Sequence, residues 1–296
     1  MDILLTGGSG QVGQAILRSA APTGWRFYAP SRDQLDLEDV ASVNQVLCSR
    51  PWEAVINCGA YTAVDRAESE AGRCWAINAT APSVLALWCA EKAIPLIHLS
   101  SDYVYGGDKS SPYVEADRLA PLSVYGASKA AGDLAVTTAG GRFVILRTSW
   151  VVSATGANFV KTMLRLAQER SELRVVNDQF GAPTSADDLA AATLRVLQLS
   201  TDVASAPSGV YHAVNRGETS WFGVAEAVFA IARRRGLKSP RLMPISSAEY
   251  PTPARRPSNS RLDGAKLARD YGVTFPDWSL ALEPIVETLL EDGTRI

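Results

Sequence analysis

The chain has 296 residues, 47% of them hydrophobic and 20% charged, with 29 Lys+Arg against 31 Asp+Glu and a formal net charge of −2. This is ordinary globular composition, so collagen-like, low-complexity and disordered readings are excluded. The length suggests two domains, or one large α/β unit with an appendage.

The densest basic spots are Arg233-Arg234-Arg235 and Arg255-Arg256, too sparse for binding polymeric nucleic acid or an anionic membrane. Four cysteines without CxxC spacing and two histidines argue against a metal site and against a disulfide framework. Reduced thiols are expected, as in the cytoplasm. The chain lacks the roughly 18 unbroken apolar residues of a membrane span, and its start has no basic leader region. A cytoplasmic location is expected.

In chain order, short apolar runs predict strands at 3–5, 26–28, 54–56, 95–97 and 143–146, alternating with helical spacing over 11–21, 39–49, 72–93 and 125–138. Such alternation points to βαβ crossovers and an α/β, doubly wound parallel sheet. Beyond residue 150, helices are predicted at 158–170, 185–199, 220–235 and 278–291, and strands near 174–176 and 210–214. The Pro- and Ser-rich stretch 239–260 reads as loops. The expected division is 1–150 as a nucleotide-binding domain and 151–296 as mainly a smaller α/β substrate lobe, with the chain able to cross back.

The first predicted strand runs into Gly7-Gly8-Ser9-Gly10-Gln11-Val12-Gly13, followed by a helix. Gly7 suits the tight turn, Gly10 the close approach of backbone to a pyrophosphate, and Gly13 the packing of helix on strand. The helix start at Gln11 and Val12 offers N–H groups to phosphates. This is a dinucleotide site. After the second strand stand Arg32 and Asp33. An arginine there accommodates a 2′-phosphate and favours NADP, whereas Asp33 keeps NAD open.

The fourth strand ends in Ser100-Ser101-Asp102, and Tyr125-Gly126-Ala127-Ser128-Lys129 opens a later helix. Tyr125 and Lys129 share one helix face. A phenol is a weak acid at neutral pH, and an adjacent ammonium favours its phenolate, which suits proton exchange with a carbonyl oxygen. Ser101 could donate to the same oxygen.

With these elements together, the chain resembles the extended short-chain dehydrogenase/reductases, a Rossmann-fold family with a Ser/Thr–Tyr–Lys triad. It is most similar to their dTDP-4-dehydrorhamnose reductase family. The matching segments include 7–13, 56–68, 100–104, 124–129, 146–151, 158–159, Asn177–Thr184 and Tyr250–Pro257, so the resemblance covers about residues 1–290.

It implies NAD(P)H-dependent reduction of the C4 keto group of dTDP-4-dehydro-L-rhamnose. Tyr125 would be the proton donor, Lys129 would hold the nicotinamide ribose and depress the Tyr125 pKa, and Ser101 would bind the C4 oxygen. Ala60, Tyr61 and Thr62 would line the cofactor channel, with Asp36 and Leu37 at the adenine. Ser101, Asp102, Tyr125 and Trp150 would contact the sugar nucleotide, and Arg255 or Arg256 would lie near the dTDP part.

Two departures from the family pattern are Ser at position 101 and Tyr at position 105, where Thr and Phe are common. Gln14-Ala15 stand where some members carry a metal-binding glutamate, so no metal is expected; the chain is a monomer or homodimer. The alternatives are an epimerase or dehydratase of the same superfamily and a non-catalytic regulatory subunit. Outside the site, His98 reads as a satisfied core histidine, Trp75 and Trp88 as packing residues, Asp187-Asp188 as an acidic helix start, and Glu68 and Glu70 as a solvated face.

Overall fold

The computed structural model describes residues 1–203 and 206–291. The last five residues of the expected substrate lobe, 292–296, lie outside them. Its strands are β1 (Asp2–Thr6), β2 (Arg26–Tyr28), β3 (Ala54–Asn57), β4 (Leu96–Ser101), β5 (Phe143–Thr148), β6 (Val151–Val152), β7 (Glu172–Val176), β8 (Phe180–Gly181), β9 (Thr184–Ser185), β10 (Gly209–His212), β11 (Thr219–Ser220) and β12 (Arg241–Ile245). The helices are α1 (Gln11–Arg18), α2 (Val40–Cys48), α3 (Val64–Ala67), α4 (Ala71–Trp75), α5 (Ala81–Glu91), α6 (Val124–Ala139), α7 (Phe159–Glu169), α8 (Ala186–Asp202), α9 (Trp221–Arg234), α10 (Ala265–Tyr271) and α11 (Trp278–Glu291).

Strand β1 shows why the sheet sits between two helical layers. Ile3 and Leu5 join a core with Ile16 of α1 and Leu189 of α8. Leu4, pointing the other way, packs with Val43 and Leu47 of α2, Leu85 of α5 and Val136 of α6. Alternate residues thus face opposite layers, and both faces are covered, as parallel sheets require. The strand order is β10-β5-β4-β3-β1-β2, and every pairing is parallel. This is a Rossmann-type doubly wound sheet. Its sixth strand, β10, comes from the second half of the chain and pairs with β5. A separate core gathers Val160 and Leu164 of α7, Val228 and Phe229 of α9, and Ile285 and Val286 of α11 against Leu173 and Val175 of β7.

Several expectations change. Strands β4 and β5 run on to Ser101 and Thr148, paired with each other. The helix predicted over 72–93 is broken: a π-helical turn, Ala76–Thr80, separates α4 from α5. Its cause is Asn78, whose side chain accepts from the Tyr61 N–H (2.8 Å) and donates to the Tyr61 carbonyl (3.0 Å). Trp75 is 43% exposed rather than packed, while Trp88 does pack against the α2–α5 core. Within the stretch read as loops, β12 pairs with β7. Pro244 is tolerated there because the pair is a two-stranded sheet made only of edges. Helix α10 carried too short an apolar pattern to be predicted.

Candidate active site

The turn after β1 is built around Gly7, whose φ is +68° and where a Cβ would stand 2.6 Å from the Gly59 nitrogen. A Cβ on Gly13 would lie 2.2 Å from the Gly7 carbonyl oxygen, so only glycine lets α1 come this close to the turn. Gly10 precedes α1 without any side-chain cap, which leaves the helix start open to an anion. Thr6 braces the turn from below, donating to Asn57 Oδ1 (2.5 Å) and accepting from the Gly59 N–H (3.0 Å).

From this turn a cavity of about 530 Å³ runs across the C-terminal ends of the strands. Of the residues expected to bind cofactor, Gly7, Gly10, Gln11, Val12, Gly13, Arg32, Asp36, Leu37, Ala60, Thr62, Tyr125 and Lys129 line it. Tyr61 does not. Its buried ring turns away, and its hydroxyl donates to Glu70 (2.8 Å), because Asn78 holds its backbone from both sides. Cys58, Arg73, Ile77 and Thr148 also line the cavity. Cys58 and Thr148 were findable from their place at strand C-termini; Arg73 and Ile77 were hidden in the broken helix.

Helix α6 starts at a doubly held end. Ser123 accepts from the Gly126 N–H (3.1 Å), and Glu68 accepts from the Val124 N–H (2.8 Å). Glu68 and Glu70 therefore each hold a specific partner, while Glu68 stays exposed and Glu70 half-buried, as a solvated face would have them. A Cβ on Gly126 would meet the Tyr103 carbonyl at 2.2 Å, so this glycine lets Tyr125 approach the end of β4.

The Tyr125 hydroxyl is pushed above its usual pKa mainly by burial, with a Ser101 contact pulling it back. The expected depression by Lys129 is not what the structure shows. The Lys129 ammonium is 2% exposed and donates to the Leu99 carbonyl at 2.7 Å. Burial lowers it to about 8, against the opposing pull of Asp133.

Ser101 and Asp102 sit beside the cavity rather than in its wall. Ser101 Oγ donates to Asp102 Oδ1 (3.0 Å) and accepts from the Tyr103 N–H (3.2 Å). Burial raises the Asp102 carboxyl to about 6, offset by hydrogen bonds from Ser260 and Ser101, and Asp102 Oδ2 has no partner among the described residues. Tyr103 stands edge-on to Tyr125, with ring centroids 5.4 Å apart. Trp150 takes a left-handed backbone (φ +47°) and stacks on Trp221, with centroids 3.8 Å apart. Gly181 leaves room for it: a Cβ there would lie 2.9 Å from the indole.

Two of the contacts that bridge the halves of the chain lie beside the site. Gln11 accepts from Asn158 (2.9 Å), and Arg256 pairs with Asp65 (2.7 Å). Among the described residues Arg255 has no such bridge. His98 is only half satisfied: Nδ1 meets Asn57 (2.9 Å), while Nε2 is buried without a partner among the described residues. The Asp187-Asp188 pair does open α8, behind the Ser185 cap.

Residues 1–291 match the family described as RmlD substrate binding domain. A dTDP-4-dehydrorhamnose reductase of Burkholderia thailandensis is 42% identical over 98% of this chain and 99% of its own length. Among solved structures, a dTDP-4-dehydrorhamnose reductase from Clostridium acetobutylicum superposes with a TM-score of 0.91 at 32% identity, covering 98% of this chain and 100% of that one. The Bacillus anthracis dTDP-4-dehydrorhamnose reductase in complex with NADP gives 0.88 at 33% identity, over 97% and 99%. Likeness at this identity, carried nearly end to end, settles the family: the chain belongs to the dTDP-4-dehydrorhamnose reductases.

Proposed function

We propose that this chain reduces the C4 keto group of dTDP-4-dehydro-L-rhamnose to dTDP-L-rhamnose, with NADPH or NADH as reductant and NADPH favoured by Arg32. One observation carries the reading. A single cavity has the glycine turn at one end and Tyr125 with Lys129 at the other, so a dinucleotide laid along it ends at a proton donor.

The residues fit such a cofactor. Gly7 and Gly13 leave backbone where a side chain would stand, and the uncapped start of α1 faces the same space. When bound, the reduced nicotinamide supplies the hydride. Tyr125 delivers the proton to the C4 oxygen; burial keeps that proton on the phenol at neutral pH, as a donor requires. Ser101 holds the same oxygen by turning its hydroxyl from Asp102. Lys129, fixed on the Leu99 carbonyl, would hold the ribose with its remaining N–H bonds and would place a positive charge near the developing alkoxide. Asp102 and Trp150 contact the sugar, and Arg256 orders Tyr103 beside it.

In this reading, residues 1–150 hold the cofactor, and the lobe from 151 onward holds most of the nucleotide sugar. Among the described residues no helix is long and apolar enough to cross a membrane. Nucleotide sugars and reduced cofactor share the cytoplasm, where the reading places the chain, as a monomer or homodimer.

The test follows loss of nicotinamide absorbance with a panel of nucleotide 4-keto-6-deoxy sugars and both cofactors. No turnover of the dTDP sugar by wild type, or full turnover by Tyr125→Phe, would sink the proposal.

A further inference from the structure

A lysine ammonium with almost no contact with water holds its charge only if something compensates it. The groups that act on Lys129 come from four places in the fold. They are Cys58 after β3, Cys74 on α4, His98 on β4 and Asp133 on α6, and Asp133 is itself paired with Arg147 on β5. Burial drives the Cys58 thiol up to about 12 and raises Cys74, so both are neutral at physiological pH. Burial likewise holds His98 well below its usual value, so it is uncharged. Asp133 is the one carboxylate among these groups.

Asp133 stands four residues after Lys129, one turn further along the same face of α6. It is 2% exposed. One oxygen, Oδ2, accepts from Arg147 Nε at 2.8 Å; the other, Oδ1, has no hydrogen-bond partner among the described residues. Arg147 is fixed in turn. Its Nη1 donates to the Tyr105 hydroxyl (2.7 Å), which meets His212 Nε2 at 2.7 Å, and His212 Nδ1 lies 3.2 Å from the Asp263 carbonyl. A buried polar chain therefore runs from the catalytic helix through β5 to β10. It clamps the carboxylate on its Arg147 side and leaves its second oxygen without a hydrogen bond.

We infer that Asp133 is a positioning residue whose carboxylate is the counter-charge keeping the buried Lys129 ammonium protonated. Arg147, Tyr105 and His212 hold that carboxylate in place. The inference deepens the proposed function, since it rests on Lys129 acting in its charged form. Without Asp133, burial would act on Lys129 with no carboxylate to oppose it, and Lys129 would lose its proton at lower pH.

The chain has six lysines, so ε-¹³C-lysine labelling gives a countable NMR spectrum in which Lys129→Met identifies the Lys129 signal. In wild type the signal should titrate well above neutrality. In Asp133→Asn its midpoint should fall by about one pH unit or more, and the alkaline limb of kcat/KM should move down with it. Asp133→Glu should restore both. Tyr105→Phe loosens Arg147 but leaves both charges in place, so the midpoint should move clearly less than in Asp133→Asn.

An unchanged midpoint in Asp133→Asn overturns the inference, as does an equal shift in Tyr105→Phe, which would mark general loosening rather than lost charge. Should Asp133→Asn fail to fold, wild type alone decides: a Lys129 midpoint below about 6.5, the range of uncompensated buried lysines, overturns it. Full turnover by Lys129→Met would instead remove the functional reading of Lys129, while the titration still decides the counter-charge.

Discussion

Asp65 and Arg256 lie 191 residues apart in the chain and 2.7 Å apart in the fold. Asp65 belongs to the short helix behind β3, and Arg256 to the segment Tyr250–Pro257. The same carboxylate also accepts from the Ala254 N–H (3.3 Å), while Arg256 reaches the Tyr103 hydroxyl at 3.5 Å. One ion pair thus closes the C-terminal segment over the site and touches the ring that stands edge-on to Tyr125.

The pair is partly exposed, so removing it should cost little stability, under about 1 kcal/mol. Its effect should fall on the sugar nucleotide. Arg256→Met is expected to raise KM for that substrate about tenfold, a loss of about 1.4 kcal/mol, and to leave cofactor affinity unchanged. Steady-state kinetics with each substrate varied in turn, beside a thermal melt, separate the two effects.

Tyr125→Phe removes the proton and almost nothing else, because the ring stays packed against Tyr103. Turnover should fall by about 10²- to 10⁴-fold, the usual share of a positioned acid. Cofactor binding, followed by fluorescence titration, should be unaffected. A variant that turned over normally would require another donor.

The glycine turn gives a contrast within one residue type. Gly13→Ala places a methyl carbon 2.2 Å from the Gly7 carbonyl oxygen, so α1 must move. A loss of about 1–3 kcal/mol is expected, with weaker cofactor binding. Gly72→Ala, inside α4, meets nothing within 4 Å, and should stabilise by up to about 1 kcal/mol through helix propensity. Melts with and without NADPH check both.

How much of this was legible beforehand depends on the range of the interaction. The glycine turn, the strand ends and the Tyr125–Lys129 spacing are local patterns, and each could be read from a dozen neighbouring residues. The π-helical turn could not, because its cause is Asn78 gripping the backbone of Tyr61, seventeen residues earlier. That same grip turns the Tyr61 ring out of the cavity, against the expectation from its neighbours. The exposure of Trp75 follows from the same break in helical phase. The Asp65–Arg256 closure and the Arg147–Tyr105–His212 chain are long-range pairings, and periodicity carries no information about them.

Arg32 lines the end of the cavity that follows β2. Arg32→Ala should therefore weaken NADPH by about tenfold, the loss of one charge-assisted phosphate contact, and leave NADH unchanged. Measuring kcat/KM for both cofactors tests this directly. An equal loss for both would place the arginine at the pyrophosphate or adenine instead.

Asp102 holds a carboxyl 3% exposed, with one oxygen unpartnered. Burial raises its pKa from 3.8 to about 6, so the folded chain binds that proton more tightly than the unfolded chain does. Stability therefore falls as pH rises from about 4 to about 6, and above that the full penalty of the buried charge remains. A shift of about two units corresponds to roughly 3 kcal/mol at most. Asp102→Asn keeps the shape and removes the charge. It should be more stable than wild type at pH 7, by up to that amount, and the advantage should shrink as pH falls towards 4. Urea unfolding of both proteins across this range reads the difference. The same variant should bind the sugar nucleotide less tightly, because an amide replaces the carboxylate offered to a substrate hydroxyl. A gain in stability coupled to a rise in KM would mark Asp102 as a residue retained for binding at the expense of the fold.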